Sequence, residues 1–360
     1  MKSLPLLLLA VLSALPVRAV EKAPLTLGAY AHPKDFWDTG ARLDDYGVNA
    51  VFIRSLEFNE ETVRRAKAEG CKVYAEFATL NGKYGGYVDK HPDAHPIDDS
   101  GQPARPATWF MGVCPTHEGF RKFRMDALRE LLTKYELDGI WLDYTHWHAQ
   151  FEDPYPVFIK TCFSDSCLAA FEKWAGLKVE GRDAAAKARW IFDHAAKKWE
   201  DWRVHVIVDW AREIRAITKE IRPHALVGIY HTAWKDEDLS GVRRRALGLD
   251  FEALAPHIDI FSPMIYHGRS GKSPAYVQEF VEYFSAKPYI KSAPGEYPQI
   301  WPIVQSYDDP RVTPEVFEQV LTGGLSGKST GVMMYTIDSV AKDAAKMEVM
   351  KRIYKGRAGK

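Results

Sequence analysis

The sequence predicts a (β/α)8 barrel, the TIM-barrel class, from three observations. Eight short segments rich in apolar β-formers alternate with amphipathic helical segments from end to end, the pattern of a parallel sheet covered by helices. Eight strands over this length favour a closed barrel over an open doubly wound sheet, and no G-x-G-x-x-G follows the first strand to mark a dinucleotide site. The stretch Leu137-Asp138-Gly139-Ile140-Trp141-Leu142-Asp143-Tyr144 crosses a core and ends in a carboxylate between aromatics, at the strand end where such barrels keep their chemistry.

The expected strands are 25–31, 48–54, 72–78, 139–144, 226–231, 258–266, 301–306 and 331–337. Helix 60–69 has Asn59 as N-cap and stops at Gly70, which tolerates the left-handed conformation that closes helices. Helix 116–134 starts at a capping residue and carries Phe120, Phe123, Leu128, Leu131 and Leu132 on one face. One long helix is expected over 184–221. There Ala195, Trp199, Trp202, Val206, Trp210, Ile214, Ile217 and Ile221 recur at helical spacing, and this stripe reads as core packing. Helices 274–286, 314–325 and 341–354 complete the later units, with proline opening the first two. Segments 79–113 and 145–183, after strands three and four, are long loops rich in aromatics, His, Gly and Pro. They fall over the C-terminal mouth, and loops of that length are usually functional.

Residues 1–19 read as an export signal: Lys2, an apolar run from Leu4 to Val17, and a cleavage site at Val17-Arg18-Ala19. The run is too short to span a membrane. A single barrel domain over 20–360 is therefore expected to be secreted or periplasmic, with a retained N-terminal anchor as the alternative. The 48 Lys and Arg balance 48 Asp and Glu, which argues against nucleic acid or an anionic membrane as partner. Eleven Trp and seventeen Tyr suit stacking on sugar rings, and equally suit a large core. Of the four cysteines, Cys162 and Cys167 are spaced to close a small disulfide loop in an oxidising compartment or to remain free thiols. That spacing is loose for zinc, and no metal or other cofactor is expected. Cys71 reads as a buried small hydrophobe.

Asp143 leads the catalytic candidates, because a charge at a barrel mouth must be paired or useful. The competing reading is a salt-bridged barrel acid. Glu76 alternates with Tyr74 and Ala78 on one face of strand three. If that face points inward, Glu76 lies one strand from Asp143, and strands about 4.8 Å apart bring two carboxylates within glycosidase reach. Its other reading is a barrel acid bound to Arg54 or a tyrosine hydroxyl. Asp338, closing strand eight, is the substitute partner, whereas Asp138 shapes the turn into strand four. His146, His148, His231 and His267 follow the ends of strands four, five and six. Neutral imidazoles there suit sugar hydroxyls better than a metal, since no helix-borne H-E-x-x-H accompanies them. Tyr144, Tyr266 and Gln305 reach the same rim, and Trp147 or Trp234 is expected to stack on a ring. No G-x-S-x-G elbow is present.

The run from Asp138 to Tyr144, together with Ser262-Pro263-Met264-Ile265-Tyr266, resembles the glycoside-hydrolase TIM barrels found in many bacteria. So does Trp301-Pro302-Ile303-Val304-Gln305-Ser306-Tyr307, followed by Thr313-Pro314-Glu315, and the resemblance spans roughly 25–354. Asp143 also resembles the strand-four nucleophile of the α-amylase clan, but Trp141 stands where that clan has Arg, and strand five ends in His231 rather than Glu. Against the chitinase pattern D-G-x-D-x-D-x-E, the catalytic Glu position is Thr145. Only Asp143 carries over. The resemblance implies a secreted glycoside hydrolase acting on a carbohydrate substrate, a poly- or oligosaccharide. Asp143 would be nucleophile or transition-state stabiliser and Glu76 the general acid/base. A catalytically inactive carbohydrate-binding barrel and a histidine-liganded, metal-dependent hydrolase are the alternatives.

Overall fold

Eight parallel strands follow one another round a barrel in the computed structural model, which describes residues 24–357. The export-signal segment 1–19 lies outside the described residues. The strands are β1 (Thr26–Tyr30), β2 (Ala50–Arg54), β3 (Lys72–Ala78), β4 (Gly139–Asp143), β5 (Leu226–Thr232) and β6 (Ile260–Ile265). β7 comes in two pieces, Gln299–Ile300 and Ile303–Gln305, and β8 is Gly331–Tyr335. β8 pairs with β1 and the second piece of β7 joins β6 to β8, so the sheet closes on itself. β7 is split at Trp301-Pro302 because proline brings no N–H to a ladder.

Alternation along the strands divides the apolar side chains into two sets. One lies between the sheet and its surrounding helices. The other fills the barrel, and includes Phe52, Tyr74, Trp141, Tyr230, Ile260, Trp301, Ile303 and Met333. Trp141 is the plug. Its ring stacks on Trp301 at 5.5 Å, meets Phe52 edge-on at 4.8 Å, and donates its Nε1–H to Ser262 Oγ at 2.9 Å. The β4–β5 register sets Gly228 opposite Trp141, and a Cβ there would sit 2.2 Å from the indole. A bulky ring on one strand thus requires a glycine on the next.

The helices depart from the sequence expectation in several places. The single long helix is two, Ala184–His194 and Ala196–Ile221, broken at Ala195 where φ is −139°. Its Trp199, Trp202 and Trp210 are buried, as core packing requires. Helix Glu118–Lys134 is capped by His117, not Thr116, the imidazole accepting the Phe120 N–H. Pro314 does open its helix behind the Thr313 cap, but helix Tyr276–Ser285 starts beyond Pro274. The Cys162–Cys167 disulfide is absent: both are buried free thiols, and Cys167 Sγ stands 3.6 Å from Cys114 Sγ. Asn59 caps its helix through Thr62 N, and Cys71 is buried. Among the described residues no helix is long and apolar enough to cross a membrane.

Both long loops carry structure of their own. The segment after β3 holds short turns of helix at Tyr87–Lys90 and Pro92–Ala94. The segment after β4 forms an antiparallel bridge between Ala149–Gln150 and Val157–Phe158, then the helix Asp165–Ala175. Both fold over the C-terminal mouth and wall the site.

Candidate active site

The aromatic plug fills the lower barrel, so the open volume lies above it, among the last inward residues of the strands. A cavity of about 280 Å³ occupies that space. Tyr30, Arg54, Asp143, Tyr230 and Tyr335 line it from strand ends, Tyr266 and Arg269 from just beyond β6, and Trp109 and Glu152 from the two long loops. The tyrosine rings make a continuous wall: Tyr335 lies 4.7 Å from Tyr30 and 4.9 Å from Tyr266.

Asp143 is where strand-end logic puts it. Its half-buried carboxylate faces the cavity and accepts the N–H of Tyr144 at 2.8 Å. Tyr144 takes φ of +54°, a left-handed turn that throws its ring flat on Phe110 at 5.5 Å and ends the strand abruptly. No arginine or lysine pairs with Asp143 among the described ion pairs. Burial, followed by the nearby charges of Glu76 and Glu152, holds its carboxyl well above the ordinary aspartate range. At the other end of β4, Asp138 accepts the Val73 N–H and pairs with Lys72, shaping the strand entry as expected.

Glu76 lies lower. It pairs in register with Trp141, two residues below Asp143 along β4, and it does not line the cavity. The Tyr30 hydroxyl donates to it, and Arg54 Nε stands 4.0 Å away. This is the buried barrel acid bound to both Arg54 and a tyrosine hydroxyl. Burial pushes its carboxyl up, and Tyr30 and Arg54 oppose that shift.

Glu152 is the carboxylate that strand arithmetic does not reach, because it sits in the loop after β4. Arg269 Nη1 holds it at 2.9 Å, while Arg269 Nε takes Asp153 at 2.9 Å. Burial outweighs the arginine and pushes Glu152 up to about 6. Gln305, expected to bind substrate, is instead consumed in placing Arg269. Its side-chain oxygen accepts the N–H groups of Gly268 and Arg269, and its amide donates to the carbonyls of Tyr307 and Asp309.

The expected rim residues separate into two groups. Tyr144 and Tyr266 line the cavity with Asp143. Trp234 lines an adjoining cavity of about 220 Å³, which shares Glu152, Met264 and Tyr266 with the first and is also walled by Phe151. The others face elsewhere. Trp147 is buried against Trp202 and donates to Arg203 O at 3.0 Å, so it cannot stack on a ligand. His148 accepts Gly112 N–H through Nδ1 and contacts Arg105 O through Nε2, tying one loop to the other. His231 points outward between Phe251 and Phe284, and burial drives it down to about 3. His146 packs on Phe110 and Phe151 with Nδ1 on Trp147 O, down at about 4. His267 is buried and lines neither cavity. Asp338 lies on the short helix Ile337–Ala341 beside Lys342, away from Asp143's cavity. The four histidines therefore do not converge. Among the described residues, the one group with three converging metal-type donor atoms is Cys114, Cys162 and Cys167.

Tyr30, Arg54, Tyr230 and Tyr335 were absent from the sequence-based site set, although a signal existed. Each sits at or next to the end of a predicted strand, in phase with that strand's inward residues. Glu152, Trp109 and Arg269 carried no such signal, because loop residues have no periodicity to read.

Comparison with known proteins adds the following. The family model Glyco_hydro_42, described as beta-galactosidase, matches residues 56–206. No curated protein matches the chain. The PgaB (BpsB) glycoside hydrolase domain from Bordetella bronchiseptica superposes with a TM-score of 0.67 at 14% identity, over 92% of this chain and 99% of that one. The beta-galactosidase of the psychrophilic Marinomonas ef1 gives 0.64 at 11% identity, over 92% of this chain but only 59% of that one. The catalytic domain of beta-amylase from Paenibacillus polymyxa gives 0.56 at 11% identity, over 93% and 100%. At such identities the likeness is one of fold.

Proposed function

We propose that this glycoside-hydrolase-like barrel is an exported glycoside hydrolase cleaving an oligo- or polysaccharide, with Asp143 as general acid and Glu152 as the carboxylate acting opposite it. One observation carries the reading. Three carboxyl groups lie at or just beneath the mouth, and two of them, Glu76 and Glu152, have an arginine each, while Asp143 has none. A neighbouring arginine favours the ionised form of a carboxylate, whereas burial and two acidic neighbours favour the protonated form of one without such a partner. The partial family match supports it, since 56–206 contains all three acids.

The roles differ from the sequence expectation. Glu76 lies beneath the cavity and is already engaged by Tyr30, so it sets the charge felt by Asp143 rather than meeting the glycosidic oxygen. Asp143 faces the cavity with a carboxyl that burial shifts toward the protonated form, the state a proton donor needs. Glu152 enters from the loop that follows β4, oriented by Arg269, and its ionised form above pH about 6 is the one that activates water or attacks the sugar carbon. Export rests on the reading of residues 1–19.

A digest of a broad glycan panel by wild type and Asp143→Asn, with released oligosaccharides read by mass spectrometry, tests the proposal. Products from wild type alone support it. Silence from folded wild type across the panel, with glycan binding retained, would favour a binding barrel.

A bell-shaped pH profile should accompany activity. Glu152 must be ionised, so kcat/KM should rise with pH through about 6. Asp143 must be protonated, so the alkaline limb should report the Asp143 carboxyl, which burial raises. Replacing Glu152 by Gln should abolish the acid limb from the residual activity. An acid limb that survives this change would remove Glu152 from the mechanism.

Because the Trp234 cavity adjoins the catalytic one, a second sugar ring has a place to lie beside the first. Trp234→Ala should raise KM for a disaccharide-sized or longer substrate about tenfold, while kcat changes little. The loss matches one stacking contact of about 1.4 kcal/mol. A fall in kcat with unchanged KM would place Trp234 in the chemistry instead.

A further inference from the structure

Three of the four cysteines of the chain meet in one buried spot. Cys114 closes the segment after β3, whereas Cys162 and Cys167 belong to the segment after β4, yet their sulfurs lie within 4.8 Å of one another. Their surroundings differ. Cys162 Sγ accepts the backbone N–H of Ile97 at 3.3 Å. Cys114 and Cys167 face each other with sulfurs 3.6 Å apart, and Thr116, Ser164 and Ser166 supply hydroxyls around them.

We propose that Cys114 and Cys167 form a disulfide that staples the two mouth loops together, leaving Cys162 as a thiol. A disulfide needs its sulfurs about 2.05 Å apart, so the pair has to close by roughly 1.5 Å through side-chain rotation. The staple has a functional address. Trp109, five residues before Cys114, and Glu152, ten residues before Cys162, both wall the catalytic cavity. The loops already meet at this point, since Phe163 N donates to Ile97 O and Asp98 bridges Thr161. A covalent link between Cys114 and Cys167 would hold Trp109 and Glu152 at a set separation.

The chemistry is thiol–disulfide exchange with a small-molecule or protein disulfide as oxidant. Before the loops dock both thiols are accessible, and Cys114 and Cys167 are interchangeable as the first attacking sulfur; Cys114 is taken as the first. Its thiolate breaks the S–S bond of the oxidant, forming a mixed disulfide and releasing one oxidant thiol. Cys167 then loses its proton and attacks Cys114 sulfur, releasing the second. Two protein thiols give up two electrons, and the oxidant disulfide becomes two thiols carrying the two protons. All three cysteines are buried once the loops dock, so the exchange takes place as the chain folds.

The test is made on the full chain, unfolded, reduced and refolded in a mixture of reduced and oxidised glutathione. Free thiols are alkylated, and the unreduced digest is read by mass spectrometry. The expected result is a linked pair of peptides bearing Cys114 and Cys167, with Cys71 and Cys162 alkylated. Reduction should then lower the thermal midpoint by about 5 °C, the size expected for a loop of this length in a domain of this size. Cys162→Ser should keep the link and the shift, and Cys114→Ser should lose both. Linkage through Cys162, alkylation of all four cysteines, or one zinc ion retained per chain after refolding with zinc would each overturn the proposal. The readouts need no glycan, so they stand apart from the hydrolase reading.

Discussion

Asp143→Asn is expected to lower kcat/KM about a thousandfold on glycosides with a sugar leaving group, and less than tenfold on a dinitrophenyl glycoside of the same sugar. A sugar alkoxide is a poor leaving group and needs its proton in the transition state, whereas a dinitrophenolate departs without one. Removing the acid therefore costs activity only where a proton is needed. Glu152→Gln should differ in kind. It removes the carboxylate that acts on the sugar carbon or its water, so both substrates should slow by about the same large factor. Asparagine nearly reproduces a protonated aspartate in shape and charge, and burial with two acidic neighbours shifts Asp143 toward that form. The variant should consequently fold as well as wild type, which separates lost chemistry from lost structure. Equal losses on both substrates for Asp143→Asn would return this residue to the nucleophile role expected from its strand-four resemblance.

Gly228→Ala is expected to destabilise the fold by about 3 kcal/mol, a fall in thermal midpoint of roughly 4 °C for a domain of this size. The added Cβ would sit 2.2, 2.4 and 2.6 Å from three atoms of the Trp141 indole. The ring has no retreat. Tyr74 lies at 4.6 Å, Phe52 at 4.8 Å and Trp301 at 5.5 Å, and Ser262 holds its N–H. Combining the change with Trp141→Phe should recover part of the loss, because the smaller ring frees the space the methyl needs. Strict additivity of the two changes would show that the strand, not the ring, resists substitution. Tyr230 and Ile303, of the same inner cluster as Trp141, line the cavity, so Gly228→Ala should weaken activity as well as stability.

Some of the site was readable from periodicity and some was not. Asp143 and Glu76 were found because strands have a two-residue period, and apolar runs ending in acids mark a barrel mouth. The alternative reading of Glu76 was also visible in advance, since Arg54 ends the neighbouring strand. Trp147 and His148 were misplaced for the converse reason. They follow Asp143 so closely that chain order suggests one rim. The left-handed turn at Tyr144 redirects the backbone, sending Trp147 toward the long helix and His148 toward the other loop. His231 shows how one residue decides the face: Tyr230 points into the barrel, so its neighbour points out.

Sequence by itself determined the barrel, its eight strands, the long loops after β3 and β4, and the acid at the end of β4. These follow from local periodicities that hold wherever the chain goes. Only the tertiary structure decided which side chains share a cavity. Glu152 reaches it because Arg269, itself placed by Gln305, draws the loop across the mouth. Cys114 and Cys167 face each other because two loops, separated by a whole helix and strand, dock at one point. Contacts of this kind depend on distances between segments with no shared period, and no pattern along the chain encodes them.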